Sequence, residues 1–187
     1  GRADVGVAIG SRRGKQVQVI RGQLRDLALA KTEVKFAAAT FTLEDGEDGD
    51  ASITYAELDR RARAIGAWLQ SEGAAGERAL LLFPPGLDFI AAYFGCLYAG
   101  AVAVPSYPPR LNRPMPRLQG IVADAGAQVA LTTSKIHADI ERRFDHAPEL
   151  RAMRWLDVEG LPDGAESHWR DPAVTADTLA FLQYTSG

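Results

Sequence analysis

A chain of 187 residues that is 47% apolar and 24% charged, with a net charge of −3, has the balance of a globular protein with a core of its own and excludes a disordered segment. So small a net charge argues for no nucleic-acid partner, and the longest apolar region, near Phe89–Pro105, is broken by glycines and too short to span a bilayer. Cys96 is the lone cysteine, so no internal disulfide is possible, and the chain suits a reducing, cytoplasmic compartment.

The charge is uneven along the chain. Residues 1–35 hold eight Lys or Arg and three Asp or Glu, whereas residues 36–50 hold five acids and no base. The basic opening lacks interleaved aromatics, which speaks against nucleic-acid binding and for a solvated, poorly ordered leader. No apolar stretch of secretory-signal length follows its arginines. Within it, Leu24, Leu27 and Ala28 could share one face of a short helix over 23–31. Residues 35–43 alternate weakly, as a strand would. The acidic run 44–50 reads as an exposed hairpin turn with Gly46 and Gly49 at its bends. A calcium loop is the sharper alternative, but the acids do not stand at its spacing.

From residue 53 the signals are clearer. Thr54 and Glu57 form a capping box, and Leu58, Ala62, Ile65 and Leu69 recur on one helical face up to a stop at Gly73. Arg60, Arg61 and Arg63 fall off that stripe and read as solvated. Residues 78–83 are a continuous apolar run, the mark of a strand covered on both faces. Pro84-Pro85-Gly86 turns the chain into a helix over 87–99. This helix is apolar nearly all round, hence expected to be deeply buried, and it carries Cys96, read as a small hydrophobe rather than a nucleophile. Gly100 stops it, and the strand 101–104 ends at Pro105.

Prolines 108, 109, 114 and 116, with Arg110 and Arg113 between them, make a stiff loop that either lines a ligand site or merely connects. A third helix opens at Pro116 on the stripe Leu118, Ile121, Val122 and Ala125 and closes at Gly126. A strand follows over 128–132. A helix capped by Ser134 is expected to run to about Phe144, then a strand over 154–158, a polar loop over 159–172 and a last strand over 179–184. His137, His146 and His168 show no metal-ligand spacing and read as surface residues. Strand and helix alternating in this way predict an α/β fold, a mostly parallel sheet flanked by helices whose ligands bind beyond the carboxyl ends of the strands.

The last strand delivers the chain into Thr185-Ser186-Gly187. Two hydroxyl donors and a glycine that lets backbone N–H groups approach an anion are how many α/β proteins begin a phosphate cradle, and a strand ending in a polar turn is the plain alternative.

Three stretches stand in the order found in one family. Ile53-Thr54-Tyr55-Ala56-Glu57-Leu58 resembles the helix-opening motif of adenylate-forming ligases. Leu97-Tyr98-Ala99-Gly100-Ala101-Val102-Ala103-Val104-Pro105 resembles their second motif, and Tyr184-Thr185-Ser186-Gly187 the start of their phosphate-binding motif. Phe89–Gly100 leading to Pro105-Ser106-Tyr107-Pro108-Pro109, together with Phe181–Gly187, resembles the fatty acyl-AMP ligases in particular. The resemblance covers roughly 40–187 and leaves 1–35 without a family helix. It implies that 36–187 are the first part of a large N-terminal AMP-binding domain, cut inside the phosphate-binding motif. It also implies ATP and Mg2+ as cofactors, a fatty acid as substrate, and an acyl carrier protein or a polyketide or nonribosomal peptide synthase as partner. Thr185, Ser186 and Gly187 would bind the phosphates; no residue of the chain takes a catalytic or metal-ligating role. The lysine-bearing lid of the family is not in the chain, so the 187 residues alone are expected to be inactive. An acyl-CoA ligase, an amino-acid adenylation domain and a non-catalytic interaction module are the alternatives.

Overall fold

The computed structural model describes residues 51–109, 115–175 and 177–184, together with the backbone of 11–12, 15–16 and 40–43. The helix expected over 23–31, the acidic turn 44–50, Arg110, Arg113, Pro114 and the triplet Thr185, Ser186 and Gly187 lie outside the described residues. In the basic opening, two short strands, β1 (Ser11–Arg12) and β2 (Lys15–Gln16), pair antiparallel where the sequence shows no periodicity. Next, β3 (Thr40–Leu43) pairs antiparallel with β4 (Ala51–Thr54), Phe41 opposite Ile53.

β4 passes directly into α1 (Tyr55–Ser71). The Glu57 N–H donates to Thr54 Oγ1 at 3.1 Å, one half of the expected capping box. The other half is diverted, because the Glu57 carboxylate turns to the guanidinium groups of Arg60 (2.8 Å) and Arg61 (2.9 Å). β5 (Arg78–Leu82), α2 (Leu87–Ala99), β6 (Val102–Ser106), α3 (Pro116–Ala125), β7 (Val129–Thr132), α4 (Ser134–Glu141), α5 (Pro148–Arg151) and β8 (Arg154–Asp157) follow. The strands form one parallel sheet in the order β6-β5-β7-β8. Gly100 and Gly126 end α2 and α3 in the left-handed conformation, φ 69° and 64°, which a side chain would disfavour.

Successive residues of a strand point to opposite faces, and the apolar runs accordingly feed two cores. Ala79, Leu81, Ala103, Val129 and Leu131 pack with α1 and α2 on one face. Leu80, Leu82, Val104 and Ala130 pack with α3, Ile140 of α4 and Leu150 of α5 on the other. Cys96 is fully buried in the first core, and burial pushes its thiol up to about 12, so it serves as a hydrophobe. α2 is less enclosed than its composition suggests: Ala91, Ala92, Gly95 and Cys96 are buried, but Phe89, Ile90, Tyr93 and Phe94 are half-buried.

Several expected boundaries move, each for a local reason. β6 does not stop at Pro105 but continues to Ser106. The Val102 N–H donates to Glu77 on the β5 side, whereas Ala103 bonds the other side, so Pro105, two residues on, turns its missing donor away from β5. The strand expected over 179–184 is a single parallel bridge, Ala103 with Phe181. It consists of the Ala103 N–H to Ala180 O (3.0 Å) and the Leu182 N–H to Ala103 O (2.8 Å). The next outward-facing position of β6 is Pro105, which has no N–H to extend the ladder. Thr133, not Ser134, caps α4, and the helix ends at Glu141, followed by a 3₁₀ turn over Phe144–His146. The polar loop after β8 carries two further 3₁₀ turns, Val158–Gly160 and Ala165–His168.

That loop is a strap across α1 and α2. Gln70 holds it through paired amide bonds, Nε2 to Arg170 O (2.6 Å) and the Arg170 N–H to Oε1 (3.0 Å). Trp169 Nε1–H donates to Tyr98 O (2.7 Å), and the Arg63 guanidinium lies 4.5 Å from the centre of the Trp169 ring. Arg63 is therefore a packed residue, also bonded to Asp59, and not the solvated one expected.

Candidate active site

The course of the chain marks one edge of the sheet. α2 leaves β5 over one face and α3 follows β6 over the opposite face, because α2 packs in the first core and α3 in the second. The carboxyl ends of β5 and β6 therefore stand at a change of winding direction, the place where open α/β sheets bind ligands. Pro84-Pro85-Gly86 stands after β5, and Tyr107, Pro108 and Pro109 stand after β6, Tyr107 being 79% exposed. The Thr132 hydroxyl, fully buried, donates to Leu82 O at 2.6 Å and ties the carboxyl ends of β7 and β5 together.

The terminal segment approaches this edge beside β6. Because its bridge to Ala103 is parallel, it runs from Ala180 towards the carboxyl ends of the strands. Phe181 enters the first core, edge-on to Tyr93 with ring centres 5.8 Å apart, while Leu182 and Tyr184 pack against the second. The Tyr184 hydroxyl donates to Asp124 Oδ2 at 2.8 Å, in the last turn of α3. Burial and that carboxylate raise the phenol well above its ordinary pKa, so it remains a donor. Arg78 Nε donates to Ala125 O (2.7 Å) at the same helix end. Thr185, Ser186 and Gly187 follow directly in sequence and lie outside the described residues; the structure brings the chain to Tyr184, one residue before them. Asp124 had no sequence signal except that a half-buried tyrosine needs a partner for its hydroxyl.

Elsewhere most charged side chains pair with one another, although among the described residues the buried Glu149 Oε1 and Glu166 Oε2 have no hydrogen-bond partner. A groove of about 330 Å³ between α1, α2 and the loop after β8 is lined by Arg60, Arg61, Asp88, Glu159 and Asp163. Both arginines are held by Glu57, and Arg61 also lies 3.5 Å from Asp88. The Glu159 carboxylate accepts from the N–H and the hydroxyl of Ser134, both at 2.7 Å, and so occupies the start of α4. His146 and His168 are exposed as expected. His137 is not simply a surface residue: its Nδ1 pairs with Asp157 at 2.8 Å and its ring stacks on Trp155, centres 4.7 Å apart. Among the described residues no three His, Cys, Asp or Glu are grouped to hold a metal ion, and no helix is long and apolar enough to cross a membrane.

The family described as AMP-binding enzyme matches residues 28–187. The chain belongs to the AMP-binding enzyme family. It is 43% identical over 169 residues to the medium-chain-fatty-acid–[acyl-carrier-protein] ligase JamA of Moorena producens, covering 88% of this chain and 28% of that protein. It is 35% identical over 147 residues to the long-chain-fatty-acid–AMP ligase FadD32 of Mycolicibacterium smegmatis, covering 78% of this chain and 23% of the relative. Among solved structures it resembles the fatty acyl-adenylate ligase from L. pneumophila in complex with acyl adenylate and pyrophosphate. There the TM-score is 0.66 at 36% identity, over 78% of this chain and 25% of that one. The chain thus spans about a quarter of the length of the fatty-acid AMP ligases it matches, and its parallel sheet with flanking helices is the first portion of the adenylate-forming fold.

Proposed function

We propose that this chain is the opening part of the N-terminal domain of a ligase that activates a fatty acid as its acyl-adenylate and passes the acyl group to the phosphopantetheine thiol of an acyl carrier protein. The observation that carries the reading is the parallel terminal segment, which takes the chain along β6 towards the carboxyl ends of the strands, with Thr185-Ser186-Gly187 next in sequence. The relatives named for fatty-acid and acyl-carrier-protein ligation support the substrate and the acceptor.

In the first step a carboxylate oxygen of the fatty acid attacks the α-phosphorus of ATP. The bond from that phosphorus to the bridging oxygen breaks, and pyrophosphate leaves. Catalysis of such a step is largely positioning and charge stabilisation. The hydroxyls of Thr185 and Ser186 and the backbone N–H of Gly187 suit phosphate oxygens as donors. Mg2+, carried with the ATP when bound, would neutralise phosphate charge. In the second step the carrier-protein thiol attacks the acyl carbonyl and AMP departs. Since the chain spans so little of its relatives, residues 1–187 alone are inactive under this reading.

A hybrid in which this chain replaces the matching first quarter of the 43% identical ligase tests the proposal. With ATP, a medium- or long-chain fatty acid and a carrier protein, the expected product is the acylated phosphopantetheine thiol. Acylation of coenzyme A instead would assign the acyl-CoA ligase reading. A folded hybrid that consumes no ATP in the presence of fatty acid would remove both.

A further inference from the structure

The terminal segment is held to the sheet in an unusual way. Its backbone pairing is one bridge at Ala103, and the next outward residue of β6, Pro105, cannot donate to it. Between that bridge and Thr185 the structure supplies a side-chain tie: Tyr184 lies against the α3 core and its hydroxyl donates to Asp124 Oδ2 at 2.8 Å. Asp124 sits in the last turn of α3, and the carbonyl of its neighbour Ala125 accepts from Arg78 Nε at 2.7 Å, so the tie ends on a helix terminus anchored to the first residue of β5.

We infer that Tyr184 and Asp124 form a latch that replaces the missing ladder bonds and sets where the chain leaves the sheet to become the phosphate-binding turn. Tyr184 is thus a positioning residue for Thr185, Ser186 and Gly187, and Asp124 acts through it. This rests on the phosphate-binding reading of 185–187 proposed above. The acceptor is what matters at position 124. Asparagine keeps a carbonyl oxygen there, whereas alanine does not.

Two measurements keep the latch separable from the function. The first needs only the 187-residue chain: amide exchange of Leu182, whose N–H makes the bridge to Ala103. Loss of one hydrogen bond should speed that exchange about fivefold in Tyr184→Phe and in Asp124→Ala, while Asp124→Asn stays near the parent rate. The second uses the hybrid ligase. Tyr184→Phe and Asp124→Ala should raise KM for ATP about fivefold and leave KM for the fatty acid unchanged, the double variant should be no worse than either single one, and Asp124→Asn should be spared. A purely structural role would lower the melting temperature without splitting the two KM values. Unchanged Leu182 exchange in both Tyr184→Phe and Asp124→Ala, or Asp124→Asn as damaging as Asp124→Ala, would overturn the latch. An inactive but folded parent hybrid counts against the proposed function alone, since Leu182 exchange still decides the latch.

Discussion

At the scale of single residues, Glu57 shows how a motif readable in sequence can be spent differently in the fold. Its N–H completes the helix cap, but its carboxylate binds Arg60 and Arg61, and those two guanidinium groups hold it down to a pKa of about 2 from an ordinary 4.5. A carboxylate whose pKa is lower in the folded state stabilises the fold above its unfolded value. That contribution disappears as the pH falls from about 4.5 towards 2. The pair is exposed, so the effect is about 0.2–1 kcal/mol. In Glu57→Gln the difference in unfolding free energy from the parent should therefore be present at pH 6 and vanish near pH 2; a difference that persists at pH 2 would mean the ion pairs are not its source. Cys96 makes a sharper case. With no exposure and a thiol raised to about 12, it should resist a thiol-specific reagent in the native chain and react on unfolding. Rapid modification of the folded chain would contradict the packing described here. Arg63 and His137 mark what a linear reading misses, because their partners, Trp169 and Asp157, come from other elements and no periodicity announces them.

At the scale of elements, α1, α2, α3 and the four sheet strands were legible because each is a local pattern, such as the stripe from Leu58 to Leu69, the run 78–83 and the glycine stops at Gly100 and Gly126, whereas the four-residue α5 is too short to show one. The terminal strand was not. Leu179–Tyr184 has the length and composition of a strand, yet pairing requires a partner with donors to offer, and Pro105 withholds one. The contact between α1 and α2 was equally hidden, though glycines on both helices, Gly66 and Gly95, allow it. A Cβ on Gly95 would stand 2.7 Å from Ile65 Cβ, inside any tolerable contact, while backbone and core hold Ile65 in place. Gly95→Ala should cost about 1–3 kcal/mol of stability, read as a lower denaturant midpoint with an unchanged slope. An unchanged midpoint would show that the two helices separate more easily than their packing implies.

At the scale of the whole molecule, the alternation of elements yields a sheet with two cores, helices on both faces and a carboxyl edge where the winding changes direction. The family was recognisable from three short motifs standing in order, and the match over 28–187 bears that out. The strand order was not written locally, since β7 inserts beside β5 and not beside β6. The described chain runs beside β6 towards the carboxyl ends of the strands as far as Tyr184, and in the sequence two hydroxyls and a glycine come next. If that triplet grips phosphate, its loss must abolish adenylate formation and leave the fold intact. The direct measurement is fatty-acid-dependent exchange of labelled pyrophosphate into ATP by the hybrid ligase, with and without the pair Thr185→Ala and Ser186→Ala. The account expects clear exchange in the parent and a loss of about a hundredfold or more in the doubly substituted hybrid at an unchanged melting temperature. Equal exchange by both proteins would contradict it.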